Sequence, residues 1–292
     1  MKVQLRETKN TLSVWWCISK ICNFNCPYCL QRMGKITKFE KNEAINTAER
    51  IKQLFDKCQY KNINITFSGG EPSLYDLHKI IDILSGGEYN LRIYINTNFS
   101  LHDIAWWNSL KRDKNIKLYI LASCHLGQLQ NLDSWLDKAA QIDNFDDFKV
   151  KFVITNDNFE ETKEAIKKCV EKNIKYCLEG ARGKGQKPLF NEEIINYIKN
   201  SNFENELSYN KMYKYGEESY TQTELLLNIH KNVEKVKCKK RVSIRGNMIE
   251  SGCPYKLDNI SIYDLEDLDW VVIDECDCVN KCSLCQAGEL EF

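Results

Sequence analysis

The sequence predicts an α/β protein in which a parallel sheet forms an open, three-quarter TIM-like barrel of six strands, followed by a small cysteine-rich domain. Two observations lead to this prediction: short apolar runs alternate with helix-like segments up to about residue 200, and cysteines are concentrated towards the C-terminus. Strands that alternate with helices imply a parallel sheet with right-handed crossovers. Six such units fall short of the eight that close a barrel, so the open side would admit a bulky substrate.

The six predicted strands are short apolar runs, several of them with alternating apolar and polar positions. They cover residues 13–18, 63–67, 91–97, 116–123, 149–155 and 174–179. The first helix is indicated by an apolar stripe from Ile45 to Cys58, with Thr37 and Glu40 as a capping box before it. Weaker helical patterns cover residues 74–84, 104–110, 132–142, 159–170 and 192–198.

Three regions follow from these patterns. Residues 1–200 hold the barrel, and residues 201–237 form a polar, tyrosine-rich connection with one helical stretch near 225–236. Residues 238–292 are short, cysteine-dense and rich in turns, and they include a predicted hairpin at 241–250 with Gly246-Asn247 as its turn.

Composition excludes several classes of partner. The formal net charge is zero, so there is no electrostatic reason to expect a nucleic acid or a membrane surface as partner. No apolar run is long enough to cross a bilayer, and the N-terminal residues lack the apolar core of a signal peptide. A cytoplasmic protein is therefore expected. Because the cytosol keeps thiols reduced, fourteen cysteines favour metal ligation over disulfides.

The first cysteine group, Cys22, Cys26 and Cys29, follows the first predicted strand with spacings of three and two residues. Three thiolates on one short loop can hold three irons of a [4Fe–4S] cube, which leaves the fourth iron open to a small molecule. The alternative is structural zinc, which usually needs four closed ligands. The loop has no histidine or fourth cysteine, and Cys17 lies within the strand, so the spacing favours an iron–sulfur cluster.

A second motif, Ser68-Gly69-Gly70-Glu71-Pro72, ends the second predicted strand. Together with the CxxxCxxC loop, which has Tyr28 before its last cysteine, this motif resembles the radical S-adenosylmethionine (SAM) superfamily over roughly residues 12–200. The resemblance implies an enzyme whose reduced cluster cleaves SAM bound at the open iron, giving methionine and a 5′-deoxyadenosyl radical. It also implies a reductant such as flavodoxin or ferredoxin as a partner.

The same resemblance implies which residues bind the cofactor. Gly69 and Gly70 lack side chains and let backbone groups approach the methionine amino group closely, with Glu71 nearby and Pro72 shaping the turn. Tyr28 joins this set through its place in the cysteine motif. An isolated pair of glycines, without the cysteine motif, would indicate only a tight turn.

Polar residues also follow the later strands and are expected to face the same cavity. Asn98 resembles a position that contacts SAM, and Ser123 resembles a position that contacts its ribose. His125 is a candidate proton donor or acceptor. Arg182 is a candidate for binding an acidic group, either the SAM carboxylate or part of a substrate. For each of these residues the alternative is an ordinary polar loop.

The second cysteine group resembles the SPASM/Twitch extension of radical SAM enzymes, which carries auxiliary clusters. Its members are Cys238, Cys253, Cys276, Cys278, Cys282 and Cys285. Six cysteines are too few for two fully cysteine-ligated [4Fe–4S] clusters, so one auxiliary cluster is expected. Cys238 and Cys253 can meet across the hairpin, and Cys282 and Cys285 have the two-residue spacing of adjacent ligands, with Cys276 or Cys278 as a substitute. A zinc knuckle is the alternative.

These features predict an enzyme that abstracts hydrogen from a small-molecule substrate, in an oxidation or a rearrangement. The segment before the first strand is short, so we expect no peptide-recognition domain there, which favours a small molecule over a peptide. Two alternatives stay open at this point. One is a peptide-modifying maturase that forms a crosslink or an epimer, and the other is a non-catalytic module that binds zinc at both cysteine groups.

Overall fold

The computed structural model describes most of the barrel region and short parts of the rest. The described residues are 11–29, 41–110, 116–143, 145–182, 188–204, 207–208, 212–215, 218–221, 241–251 and 260–266. Within these ranges the chain folds as α/β, with a mostly parallel sheet of nine strands and a separate two-stranded hairpin.

The strands and helices alternate along the chain as far as the sixth helix. The strands are β1 (Thr11–Ser19), β2 (Asn62–Gly69), β3 (Asn90–Thr97), β4 (Ile116–Cys124), β5 (Asp147–Ile154), β6 (Tyr176–Gly180), β7 (Met212–Tyr215), β8 (Glu218–Thr221), β9 (Arg241–Arg245), β10 (Met248–Ser251) and β11 (Ile260–Ser261). The helices are α1 (Lys41–Lys57), α2 (Leu77–Ser85), α3 (Ile104–Asn108), α4 (Leu132–Ala140), α5 (Phe159–Glu171) and α6 (Glu192–Glu204).

The six predicted strands are confirmed as β1 to β6, and they lie side by side in chain order, all parallel. The predicted helices lie between them as α1 to α5, with α6 after β6. The capping box predicted at Thr37 and Glu40 lies outside the described residues. The two-stranded antiparallel hairpin of β7 and β8 lies in the region predicted to be a connection.

The sheet is larger than predicted, because three strands extend it beyond β1. The predicted hairpin forms as β9 and β10, and Gly246 in its turn has a positive φ of 58°. β9 then pairs in parallel with the free edge of β1, which satisfies backbone groups that an edge strand leaves open. The six predicted strands are therefore joined in one sheet by three further strands, while the predicted boundaries at residues 200 and 237 stay predictions.

Side-chain contacts across long sequence separations hold this extension in place. The Trp16 indole N–H donates to the Gly246 carbonyl at 3.0 Å, and the Asn247 amide donates to Glu43 on α1 at 2.8 Å. Arg50, also on α1, donates to the carbonyls of Ile262 and Leu265. The segment at 260–266 is thereby fixed against the first helix.

The two faces of the sheet differ in polarity. Alternate residues such as Leu12, Val14, Ile63 and Ile65 are buried in one apolar core with the helices. The opposite face carries side chains that line an open cavity, among them Ser13, Asn64, Thr66, Tyr94, Asn96 and Tyr119. One face of the sheet therefore stabilises the fold and the other is available for function, while closure into three quarters of a barrel stays a prediction.

None of the helices in the described ranges is both long enough and apolar enough to cross a membrane.

Candidate active site

The cavity over the polar face of the sheet has a volume of about 700 Å³ and is lined by residues from all of β1 to β6. Cys22, Cys26 and Cys29 line it from residues 22–29, which we call the cysteine loop. This loop leaves the carboxyl end of β1. In parallel α/β folds that edge of the sheet is where ligands bind.

The cysteine loop is held by its own backbone and by a neighbouring connection. The Cys29 N–H donates to the Cys26 carbonyl at 3.2 Å, and the Phe24 N–H donates to the Cys22 sulfur at 3.3 Å. The Asn25 N–H donates to the Gln128 side chain at 2.8 Å, in the turn that follows β4. The loop is thus attached to two strand ends.

The donor chemistry of the loop fits an iron–sulfur cluster. In the described part of the chain no three His, Cys, Asp or Glu side chains are grouped to hold a metal ion. A [4Fe–4S] cube, however, takes each thiolate on a different iron, and the three thiols share one loop and one cavity. Burial, together with the nearby Glu71 and Cys29, raises the pKa of the Cys22 thiol despite hydrogen bonds that lower it. Bound iron would deprotonate such a thiol.

The two glycines of the second motif are required by close backbone packing. Gly69 has a φ of 111°, and a Cβ added to Gly70 would lie 1.8 Å from the Ile21 carbonyl oxygen. The Gly70 N–H donates to the Ser19 carbonyl at 2.6 Å, and the Glu71 N–H donates to the Ile21 carbonyl at 2.8 Å. The end of β2 therefore supports the chain just before the cysteine loop.

Glu71 is buried, with 1% of its surface exposed, and both its carboxylate oxygens have donors. Its Oε1 accepts from the Ser73 N–H at 2.9 Å, the Ser73 hydroxyl at 2.7 Å and the Thr97 hydroxyl at 2.7 Å. Its Oε2 accepts from the Asn98 N–H at 2.6 Å. The carboxylate thus joins the ends of β2 and β3, and it lies behind the cavity wall. Pro72 begins the short 3₁₀ turn that Glu71 caps.

The aromatic side of the cysteine loop contacts the end of β4. The Tyr28 hydroxyl lies 3.0 Å from His125 Nδ1, and the Phe24 ring makes a T-shaped contact with the same imidazole. Burial, and then the positive charge of Lys151, lowers the pKa of His125 to about 4, so this ring is neutral near pH 7. Burial raises the pKa of Tyr28, which stays protonated.

Charged residues line the cavity on β5, on β6 and just after β6, and we call them the charged wall. The Lys151 amine lies 3.3 Å from Glu179, and Arg182 lies 3.8 Å from the other oxygen of that carboxylate. Lys149 and Asp147 pair at 2.8 Å on β5. Burial alone would raise the pKa of Glu179, but Lys151 and Arg182 outweigh it and the net shift is downward. Sequence reasoning singled out only Arg182 among these residues.

Most of the predicted site residues are brought together. Those that line the cavity are Cys22, Cys26, Tyr28, Cys29, Gly69, Gly70, Asn98, Ser123, His125 and Arg182. Their contacts with SAM stay predictions. The auxiliary-cluster prediction falls outside the described residues, at Cys238, Cys253, Cys276, Cys278, Cys282 and Cys285.

Comparisons with known proteins agree with this geometry. Residues 16–126 match the model of the Radical SAM superfamily. Two structures of native anSMEcpe, one with bound AdoMet and one with bound AdoMet and the Kp18Cys peptide, share the fold with TM-scores of 0.57 at 17% identity. Each alignment covers 87% of this chain and 78% of the anSMEcpe chain.

Coproporphyrinogen III oxidase (HemN) from Escherichia coli, described as a radical SAM enzyme, gives a TM-score of 0.47 at 10% identity. The alignment covers 82% of this chain and 66% of that one, and the score is too low to bear on the fold. A comparison with curated protein sequences gives no significant match. The fold and the cysteine loop agree with the similarity to the Radical SAM superfamily, whose match lies at residues 16–126.

Proposed function

We propose that this protein is a radical SAM enzyme that abstracts hydrogen from a small-molecule substrate. One observation carries the proposal: Cys22, Cys26 and Cys29 line the same cavity as Gly69 and Gly70, inside the segment that matches the family. The three thiolates would hold a [4Fe–4S] cluster. When bound, that cluster supplies the electron that splits SAM into methionine and a 5′-deoxyadenosyl radical.

The residues of the chain would bind and orient the cofactor and keep water away from the radical. Asn98 and Ser123 are 4% and 8% exposed, so polar contacts here would form away from bulk water. The neutral His125 and the protonated Tyr28 add no charge beside the loop. They hold its aromatic side against β4.

The charged side chains that line the cavity favour the proposal of a polar substrate. Positively charged side chains outnumber negatively charged ones in the lining of the cavity. The positive ones are Lys20, Lys149, Lys151 and Arg182, and the negative ones are Asp147 and Glu179. The formal charge of the whole sequence is zero, so this excess of positive charge is local. A small molecule with an anionic group fits such a wall.

The test is the formation of 5′-deoxyadenosine under anaerobic, reducing conditions. Replacement of Cys22, Cys26 and Cys29 by alanine should abolish it, because the cluster loses all its protein ligands. Cys58→Ala is the matched control, since Cys58 lies just after α1 and its thiol bonds the Phe55 carbonyl. Cleavage of SAM by the triple variant at the rate of the unaltered protein would remove the assignment, and a colourless protein that binds only zinc would favour the zinc module.

We also propose one auxiliary [4Fe–4S] cluster, held by Cys238, Cys253, Cys282 and Cys285. The support is the spacing of these cysteines in the sequence. The triple variant that lacks the first cluster should then retain roughly four irons per chain, as expected for one [4Fe–4S] cluster. Further replacement of Cys282 and Cys285 should bring the iron content near zero. If about four irons stay bound instead, Cys276 and Cys278 hold the cluster. A flavodoxin or ferredoxin is the proposed electron donor.

A further inference from the structure

Asn98 follows β3, and its backbone is fixed on both sides. Its N–H donates to the Glu71 carboxylate at 2.6 Å, and its carbonyl accepts from the Trp135 indole at 3.2 Å. The residue is 4% exposed. A side chain that leaves so fixed a backbone has few orientations available.

The side-chain amide is oriented by a second set of bonds. Its oxygen accepts from the Ser100 N–H at 3.0 Å and from the Ser100 hydroxyl at 2.7 Å. Two donors on one side require the carbonyl oxygen there, which settles the choice between the two amide orientations. The NH₂ group therefore faces the cysteine loop.

The NH₂ group has two hydrogens and two acceptors in the loop. Nδ2 lies 2.8 Å from the Asn23 side-chain oxygen and 3.7 Å from the Cys22 sulfur. Cys22 also accepts from the Phe24 N–H at 3.3 Å. One proposed cluster ligand thus receives two N–H···S hydrogen bonds, and one of them comes from a side chain that can be changed.

We infer that Asn98 is a positioning residue that donates a hydrogen bond to the Cys22 thiolate and raises the reduction potential of the SAM-cleaving cluster. This inference rests on the proposed function. Reduction adds negative charge to the cluster and its thiolates, and an N–H donor stabilises that charge more in the reduced state than in the oxidised state. Asn98 would then make the cluster easier to reduce, by acting through Cys22.

The test is the midpoint potential of the reconstituted full-length protein, followed by electron paramagnetic resonance during a redox titration. The signal that changes when SAM is added identifies the cluster at Cys22 beside any second cluster. Asn98→Leu removes the donor without adding charge, and the potential should become more negative. Asn98→Asp keeps an oxygen towards Ser100 but places an acceptor beside the sulfur, so its potential should fall further.

Asn64→Leu is the matched control, because Asn64 lines the same cavity near the start of β2, away from the loop. Its potential should stay at the value of the unaltered protein. SAM affinity of Asn98→Leu is measured in parallel, so that the loss of a direct contact with SAM is distinguished from a shift in the potential of the cluster. Unchanged potentials in both Asn98 variants would overturn the inference, whatever the SAM affinity.

Failure of the proposed function gives a different result. In that case the unaltered protein itself would hold no cluster whose signal responds to SAM, and no potential could be assigned to Cys22. If Asn98→Leu binds less iron than the unaltered protein, Asn98→Asp decides the matter, since it keeps the shape of the side chain and an acceptor for Ser100.

Discussion

Replacement of Gly70 by alanine should detach the cysteine loop from the end of β2. The added Cβ would lie 1.8 Å from the Ile21 carbonyl oxygen and 2.4 Å from the Ile21 carbonyl carbon. It would have to move by about 1.2 Å to reach 3.0 Å, below which real Cβ contacts are essentially never found. Both neighbours are backbone atoms, so no flexible side chain can yield.

The shift would break the two hydrogen bonds that join these segments. They run from the Gly70 N–H to the Ser19 carbonyl at 2.6 Å and from the Glu71 N–H to the Ile21 carbonyl at 2.8 Å. Each contributes about 0.5–1.5 kcal/mol net, so the variant should lose about 1–3 kcal/mol locally before any strain is counted. Ile21 immediately precedes Cys22, so the cost should appear as lost cluster.

The assay is iron and sulfide per chain after anaerobic reconstitution, with urea unfolding as the measure of stability. Gly127→Ala is the control, because a Cβ at Gly127 would meet nothing within 4 Å and the residue lies in the turn beside the same loop. It should stay within about 0.5 kcal/mol of the unaltered protein and keep its iron. Equal iron content in the two variants would refute the reasoning.

Two further predictions concern buried polar groups. Glu71→Ala leaves four hydrogen-bond donors without their acceptor, so it should lower the free energy of unfolding by about 3 kcal/mol. The control is Glu88→Ala, at an exposed position, which should lower it by about 0.5 kcal/mol or less. Urea midpoints that coincide would contradict this. The pKa of His125 is about 4 when folded, against 6.5 for an unperturbed histidine, so the unfolded chain binds more protons between these values. The contribution of the neutral His125 ring to the free energy of unfolding is fully present above about pH 6.5 and decreases as the pH falls. At about pH 5 about 2 kcal/mol should be lost, and His125→Gln should not show this loss.

The first six strands could be predicted because each one has its own local pattern. β1 alternates buried and half-buried positions, and the helices between the strands have apolar stripes of their own. β9 was predicted as half of a hairpin, but its pairing with β1 depends on a contact between segments more than 200 residues apart. Such a pairing is decided by which sheet edge is free, and sequence periodicity contains no record of that.

The charged wall shows a signal that the sequence did contain. In β5 the residues Asp147, Lys149 and Lys151 alternate with Phe148, Val150 and Phe152. A parallel strand that helices cover on both faces has a continuously apolar sequence, so strict alternation in a parallel sheet indicates that one face is exposed to solvent. Together with a predicted cluster at the strand ends, that alternation would have predicted from the sequence alone that charged residues of β5 line the cavity.

The loop that carries the cysteines is positioned by the ends of β2 and β3 acting together. Gly70 supports the chain before Cys22, Glu71 joins β2 to the Asn98 backbone, and the Asn98 amide returns to Cys22. Groups that hold one element by two routes are coupled, so the effects of breaking both should not add. The loss of unfolding free energy in a Gly70→Ala/Asn98→Leu double variant should therefore differ from the sum of the two single losses, and additive losses would mean that the two contacts hold the loop independently.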